Sequence, residues 1–241
     1  MPTVAGATPP SKLPAPAPIV KQALFQAAQA TGVRYVWTNT IPGQREVEVC
    51  DVGRDQGQQT ITLTIAKRSG TSTIRLLKKV AYLQADAFTL VNYFGFSTKN
   101  ASAYANRWIS FVATDAPYAS LVRYGTLGAV VPGLEVDGPY TIAAKRGYSG
   151  TSAYPITGVL PSTGSAAPGA PLQPATLYVA VQSGYPVGLE PVMSAKATNT
   201  WSYALSNWNE RVVVTAPKNP VSYASIAKAL GRHAFNAQPL R

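Results

Sequence analysis

Few side chains in this chain can do nucleophilic, acid–base or metal chemistry: one histidine, one cysteine and ten carboxylates in 241 residues. The histidine, His233, lies in the run GRHAF close to the C-terminus. A Ser–His–Asp triad needs its imidazole held deep in the fold by an orienting carboxylate, and a solvated terminal imidazole is a poor general base. Cys50 has Glu48 and Asp51 beside it. Neighbouring negative charge opposes thiolate formation, so Cys50 is expected as a small buried hydrophobe. One His and one Cys allow no zinc-ligand spacing, and no phosphate-binding glycine loop or dinucleotide fingerprint occurs. The sequence therefore nominates no catalytic residue, metal or cofactor.

Two carboxylate pairs remain, Glu46/Glu48 and Glu135/Asp137. Each has i, i+2 spacing, which puts both acids on one face of a strand. A glycosidase sets two carboxyl groups across a cleft, roughly 5–10 Å apart. Acids on one strand face are expected to be solvated instead, since carboxylates are almost never fully buried unless paired. A wall-polysaccharide hydrolase resting on these carboxylates is the weakest of the readings carried forward. Arg107-Trp108 invites a cation–π recognition patch, against the alternative that Trp108 anchors the core through the strand it begins.

The elements that must position these groups are mostly strands. Residues 1–18 read as a Pro/Ala tether, extended and unable to pack a core. A first helix is predicted over Ile19–Ala30, stopped at Gly32. Strands follow at Val33–Thr40, Arg45–Val52, Gln58–Lys67, Thr73–Leu77 and Val80–Gln84. In the third, Ile61, Leu63 and Ile65 alternate with Thr60, Thr62 and Thr64, giving one apolar and one hydroxylated face. In the second, Val47 and Val49 face away from Glu46, Glu48 and Cys50. Helices are predicted at Asp86–Phe94, Thr98–Asn106 and Ala116–Tyr124, with a strand at Trp108–Ala113 and an inward-packing apolar stretch at Leu127–Val131. The second half returns to strands: Tyr140–Lys145, Ser152–Leu160, Ala175–Val181, Pro186–Val192, Thr200–Leu205 and Arg211–Thr215. A Pro/Gly/Ser loop occupies 161–174, and a helix at Tyr223–Leu230 closes the domain. Short turns rather than crossover helices join neighbouring strands, so the class is α+β with a large antiparallel sheet. A single domain over 19–232 and a tail over 233–241 complete the division.

Composition limits the partners. Charged residues make up 13% of the chain, about half the usual share, so the surface is built from hydroxyl, amide and tyrosine groups, as suits a secreted or envelope protein. The net charge is +11, a field that attracts anionic surfaces. Its basic residues are scattered, and the only adjacent pairs are Lys67-Arg68, Lys78-Lys79 and Lys145-Arg146. No run forms a nucleic-acid patch. No apolar run is long enough to span a bilayer, and no signal peptide is visible. A monomer with no nucleic-acid partner is expected, its membrane surface contacts made through basic charge or an anchor upstream of this chain.

Four segments carry a family likeness: Val80–Phe94, Ala105–Tyr124, Ala175–Leu189 and Ser206–Pro217. Their characteristic residues are Tyr82, Asp86, Trp108-Ile109, Tyr118, Leu121, the run Thr176–Val179 with Pro186, Trp208, Val212–Val214 and Pro217. Together they resemble the actinobacterial LppX/LprG-type lipoproteins of the LolA-like fold, over roughly residues 19 to 220. Arg107 departs from the small residue that the family places before its Trp, and no lipobox cysteine is present. The resemblance implies a curved half-open barrel with short helices on its concave side. It also implies a non-catalytic protein of the cell envelope, outside the cytoplasm, that holds a lipid or glycolipid in an apolar cavity. On that reading Ile61, Leu63, Phe88, Val91, Phe94, Tyr118, Leu121, Leu127 and Val131 line the cavity. The alternative is an envelope module of the same fold whose interior is filled by its own side chains.

Overall fold

The computed structural model describes residues 13–161, 173–194, 197–231 and 234–235. The first helix, α1, spans Pro16–Gln29. It starts three residues earlier than the periodicity predicts, because Pro16 occupies the first turn, where no backbone donor is needed. Four ten-residue strands follow, β1 (Gly32–Ile41), β2 (Gln44–Gly53), β3 (Gln56–Ile65) and β4 (Arg68–Leu77), then β5 (Val80–Ala85). Short helices α2 (Ala87–Asn92) and α3 (Thr98–Tyr104) lead to β6 (Ile109–Val112). The helix expected over Ala116–Tyr124 is a single turn, α4 (Tyr118–Leu121), followed by α5 (Leu127–Val130) and a 3-10 turn over Val131–Leu134. The second strand block comprises β7 (Asp137–Ile142), β8 (Arg146–Tyr148), β9 (Thr151–Val159), β10 (Pro174–Ala180), β11 (Pro186–Pro191) and β12 (Thr200–Ser206). A two-residue strand, β13 (Val221–Ser222), precedes α6 (Tyr223–Leu230).

All 13 strands among the described residues join one sheet, in the order β13-β6-β5-β4-β3-β2-β1-β12-β11-β10-β9-β7, with β8 pairing on β9. Every pairing is antiparallel except β13 on β6. The two ends of this path do not meet, so the sheet is a half-open barrel, and the short helices cover its concave face. Period-2 alternation assigns the faces. Tyr35, Trp37, Ile61, Leu63, Leu83, Leu177, Leu189 and Leu205 are buried, while Thr38, Thr60, Thr62 and Thr73 lie half-buried on the outer face.

The concave face carries two apolar clusters rather than one. The first gathers α1 (Val20, Ala23, Ala27), Tyr35, Trp37, Leu127, Val131, Leu177 and Leu189. The second gathers Ile61, Ile74, Leu83, Leu90, Phe94, Phe96, Phe111, Leu121 and Ile226. Ala234 and Phe235 belong to the second cluster. The Phe235 ring lies 5.2 Å from that of Phe96 and 5.3 Å from that of Phe111. Tail residues 236–241 and His233 lie outside the described residues, as do 1–12 of the tether and 162–172 of the predicted loop.

Local chemistry fixes where the helices sit. Asp86 caps α2 by accepting from Thr89 N at 2.7 Å and also accepts from Thr71 N at 2.6 Å. These two bonds lock the helix start onto β4. The approach is close enough that a Cβ on Gly70 would lie 2.5 Å from Thr89 Oγ1 and 2.6 Å from Asp86 Oδ1, so this contact needs glycine. The expected strand Arg211–Thr215 is not a sheet strand. It runs as a strap whose backbone bonds to side chains instead: Gln56 Nε2 donates to Val212 O at 3.0 Å, Val214 N donates to Gln56 Oε1 at 3.2 Å, and Arg75 donates to Thr215 O at 3.2 Å. Its alternation comes from packing across the sheet, with Val214 buried and Val213 66% exposed.

Candidate functional site

Between sheet and helices, where the two apolar clusters meet, lies a void of about 60 Å³. Its walls are Ile61 of β3, Ile74 of β4, Tyr93 and Phe94 after α2, and Leu121 of α4. Phe235 closes one side, and Pro117, Ser120, Arg123 and Tyr124 form the cover. A void of 150 Å³ accepts benzene, and one water needs on the order of 10–15 Å³ on the same measure. The space holds a few water-sized groups and no acyl chain.

The cover is pinned to the sheet. The Tyr35 hydroxyl donates to Tyr124 O at 3.1 Å. Beside it, Gly57 of β3 approaches Gly125 so closely that a Cβ would sit 2.4 Å from the Gly125 carbonyl oxygen. Arg123 is exposed, with its guanidinium 5.4 Å above the Tyr124 ring. Burial, reinforced by the charges of Cys50 and Glu48, pushes the Tyr35 phenol well above the usual tyrosine range.

The floor is polar, and here the sequence reading is corrected. Glu46 and Glu48 are not on a solvated face; both are fully buried. In the β1–β2 register Asn39 stands opposite Glu46 and Trp37 opposite Glu48. In the β2–β3 register Leu63 stands opposite Glu46, Ile61 opposite Glu48 and Gln59 opposite Cys50. Asn39 and Gln59 are also buried. These four residues form a polar island on the concave face between the two apolar clusters, and Glu48 and Gln59 border the void. Nothing in the spacing of Glu46 and Glu48 marks them as buried. The signal is their pairing partner: the apolar face of β3 lies beside them once the hairpin register is set. Glu135 and Asp137, the other pair, are exposed. Cys50 is fully buried.

The nine residues expected around a cavity are dispersed. Ile61, Phe94 and Leu121 border the void. Leu63 is fully buried. Val91 and Tyr118 pack against the second cluster. Phe88 is half-buried, with the Arg68 guanidinium 5.1 Å from its ring. Leu127 and Val131 border a separate, open cleft of about 440 Å³ beside α1, with Leu24, Arg54 and Glu135. Glu48, Gln59, Ile74, Tyr93, Pro117, Ser120, Arg123, Tyr124 and Phe235 also line the void, and the sequence reading placed none of them at a cavity. Arg107 lies over Tyr104 at 5.8 Å, and the cation over Trp108 is Arg75, at 4.8 Å.

The outer face carries a second cluster. The Tyr148 ring stacks on Tyr178 at 3.9 Å, and the Tyr178 hydroxyl donates to Glu190 and accepts from Arg146. The Tyr148 hydroxyl donates to Tyr203 O at 2.9 Å. These bonds fold the β8 hairpin over the sheet, an element the sequence reading lacks. Burial raises the phenols of both tyrosines. Among the described residues no group of three or more His, Cys, Asp or Glu is placed to hold a metal ion, and no helix is long and apolar enough to cross a membrane.

Comparison with solved structures identifies the fold. LprF from Mycobacterium bovis superposes with a TM-score of 0.52 at 16% identity, over 85% of this chain and 98% of that one. An uncharacterized conserved protein from Thermus thermophilus aligns over 85% of this chain and 96% of its own, at 9% identity and a TM-score of 0.40. A LolA superfamily protein from Nitrosomonas europaea aligns over 81% and 94%, at 9% identity and a TM-score of 0.27. No family model and no curated protein matches the sequence. The likeness to LprF is one of fold, and the half-open barrel that the resemblance to LppX/LprG-type lipoproteins implied is the architecture observed.

Proposed function

We propose that the protein is a non-catalytic binding module of the bacterial cell envelope that takes a lipid-type ligand between the sheet and helices α2 and α4. The observation behind this reading is the void itself, walled by Ile61, Ile74, Phe94 and Leu121 and covered by a single-turn helix. Its volume of about 60 Å³ is well below the roughly 300–1,000 Å³ of usual ligand pockets. Loading a hydrocarbon chain therefore requires the cover over 117–124 to lift. Each buried CH₂ then contributes about 0.8 kcal/mol before ordering costs. The envelope location rests on the low-charge surface and on the lipoprotein resemblance.

A second reading has its own support. The first cluster is filled: Tyr35 and Trp37 are buried, and Tyr203 and Trp201 pack against them, with rings 6.0 Å apart for Tyr35–Tyr203 and 6.1 Å apart for Trp201–Tyr203. A module of this fold with no ligand would look the same on that side. Delipidated protein titrated with a fluorescent acyl probe, alongside mass spectrometry of lipids extracted from the purified protein, separates the two. Saturable uptake at one site is the expected result. No uptake and no extracted lipid would leave the filled module as the function.

A further inference from the structure

We propose that the nest of rings beside the void, Phe94, Phe96, Phe111 and Tyr223, seats the inner hydrocarbon end of the ligand, and that Phe235 of this chain fills it as an internal competitor until the ligand displaces it. The inference rests on the lipid-type reading above and names a subsite and the regulation of that same site.

Phe235 is placed as a guest of this nest rather than as part of its frame. The last helix, α6, ends at Leu230, and Gly231 turns the chain with a φ of 75°. Ala234 and Phe235 then fold back onto the second cluster while belonging to no helix or strand. The Phe235 ring lies 5.2 Å from Phe96, 5.3 Å from Phe111, 5.8 Å from Phe94 and 5.9 Å from Tyr223. Its contacts with Phe96, Phe111 and Tyr223 are edge-on, a geometry that aromatic pairs favour. Phe111 and Tyr223 are held by β6 and α6. The same Phe235 ring borders the void, so its seat and the void are neighbouring parts of one space.

The backbone of Phe235 is strained. Its φ is 65°, a left-handed value that a bulky residue rarely adopts and that persists only where the surroundings impose it. Phe235 N donates to Phe94 O at 2.6 Å, and this bond with the ring contacts holds the turn. Releasing the ring returns the strain. A hydrocarbon end entering the nest replaces apolar contact with apolar contact of similar volume, the exchange that interiors tolerate best.

Space agrees. The void alone, about 60 Å³, is well short of the roughly 150 Å³ that takes benzene. Departure of the Phe235 ring merges its seat with the void and lengthens the path for a chain entering beneath the cover over 117–124. Ring and ligand then claim one seat, so the apparent affinity falls with the fraction of molecules in which the seat is filled. A Phe235 with a purely structural role would stay in place when ligand binds.

Amide exchange followed by NMR tests this in wild-type protein, delipidated and then saturated with dodecanoic acid. The inference requires exchange at the Phe235 amide to quicken at least fivefold on saturation while the β6 amides do not quicken. It also requires Phe235→Ala to bind dansyl-undecanoic acid at least fivefold more tightly than wild type, with Phe235→Leu, a smaller plug, in between. Wild-type binding with the Phe235 amide as protected as before, or Phe235→Ala binding no more tightly, would make Phe235 an ordinary core side chain and leave the lipid-type reading standing. If wild type binds neither dodecanoic acid nor the dansyl probe, both fall. The wild-type exchange measurement decides the matter alone should Phe235→Ala fail to fold.

Discussion

Gly57→Ala tests the pinned cover. The new Cβ would lie 2.4 Å from Gly125 O and 3.1 Å from both Asp51 O and Val52 Cγ1. Ordinary contact begins at 3.4 Å, so the Gly125 carbonyl must retreat by 3.4 − 2.4 = 1.0 Å. It is backbone, and it adjoins the Tyr124 carbonyl that accepts from Tyr35, so the retreat strains that bond as well. Overpacking of this kind costs about 1–3 kcal/mol. Replacing glycine narrows the unfolded ensemble and returns about 0.4–1 kcal/mol. The net loss is about 0–2.6 kcal/mol, or as much as roughly 10 °C in Tm at 2–4 °C per kcal/mol for a domain of this size. Gly53→Ala is the matched control. Its Cβ meets nothing nearer than Gln56 O at 3.4 Å and Thr31 O at 3.5 Å, so it should be neutral or slightly stabilising. Thermal unfolding followed by circular dichroism reads both variants, and amide exchange at 122–126 should quicken in Gly57→Ala alone. A Gly57→Ala protein as stable as Gly53→Ala, with unchanged exchange at 122–126, would refute the account of the cover.

Two further outcomes are expected. Burial raises the phenols of Tyr35, Tyr140, Tyr148 and Tyr178 above their ordinary value. Unfolded tyrosine ionises near pH 10, so above that the unfolded state holds fewer protons than the folded one. The stability these groups contribute is complete below about pH 10 and is lost as pH rises through the folded values, at about 1.4 kcal/mol per pH unit for each. Urea midpoints between pH 8 and 11.5 should fall accordingly, and less steeply in Tyr35→Phe. Gln56→Ala removes both the donor to Val212 and the acceptor from Val214. It should cost about 1–3 kcal/mol and expose the 211–215 strap to limited proteolysis, whereas a strap as resistant as wild type would show that other contacts hold it.

Much of the architecture follows from periodicity. Alternation in β3, with Ile61 and Leu63 against Thr60 and Thr62, is enough to specify a strand and its two faces, since a side chain's face is fixed by its parity along the strand. The same holds for β1, β10 and β12. The capping carboxylate at Asp86 and the stop at Gly231 mark helices α2 and α6 through local bonds alone. What parity cannot say is which face turns inward when both are mixed. In β2, Val47 and Val49 compete with Glu46, Glu48, Cys50 and Val52. The hairpin register settles it, by placing Glu48 beside Ile61 and Glu46 beside Leu63. The acids are carried inside because shifting β2 alone would sever pairing on both of its edges.

The strap over 211–215 has a strand's composition, yet its bonding partners are the side chains of Gln56 and Arg75, remote in sequence. The void likewise depends on how far a one-turn helix stands from the sheet, a distance set by Gly57, Tyr35 and Phe235 together. The chain alone determines the strands, their short connections and the shortage of catalytic groups, because these arise from neighbours along the backbone. Volume, the inward face of β2 and the polar floor of the void arise from contacts between residues far apart in sequence, so only the folded molecule decides them.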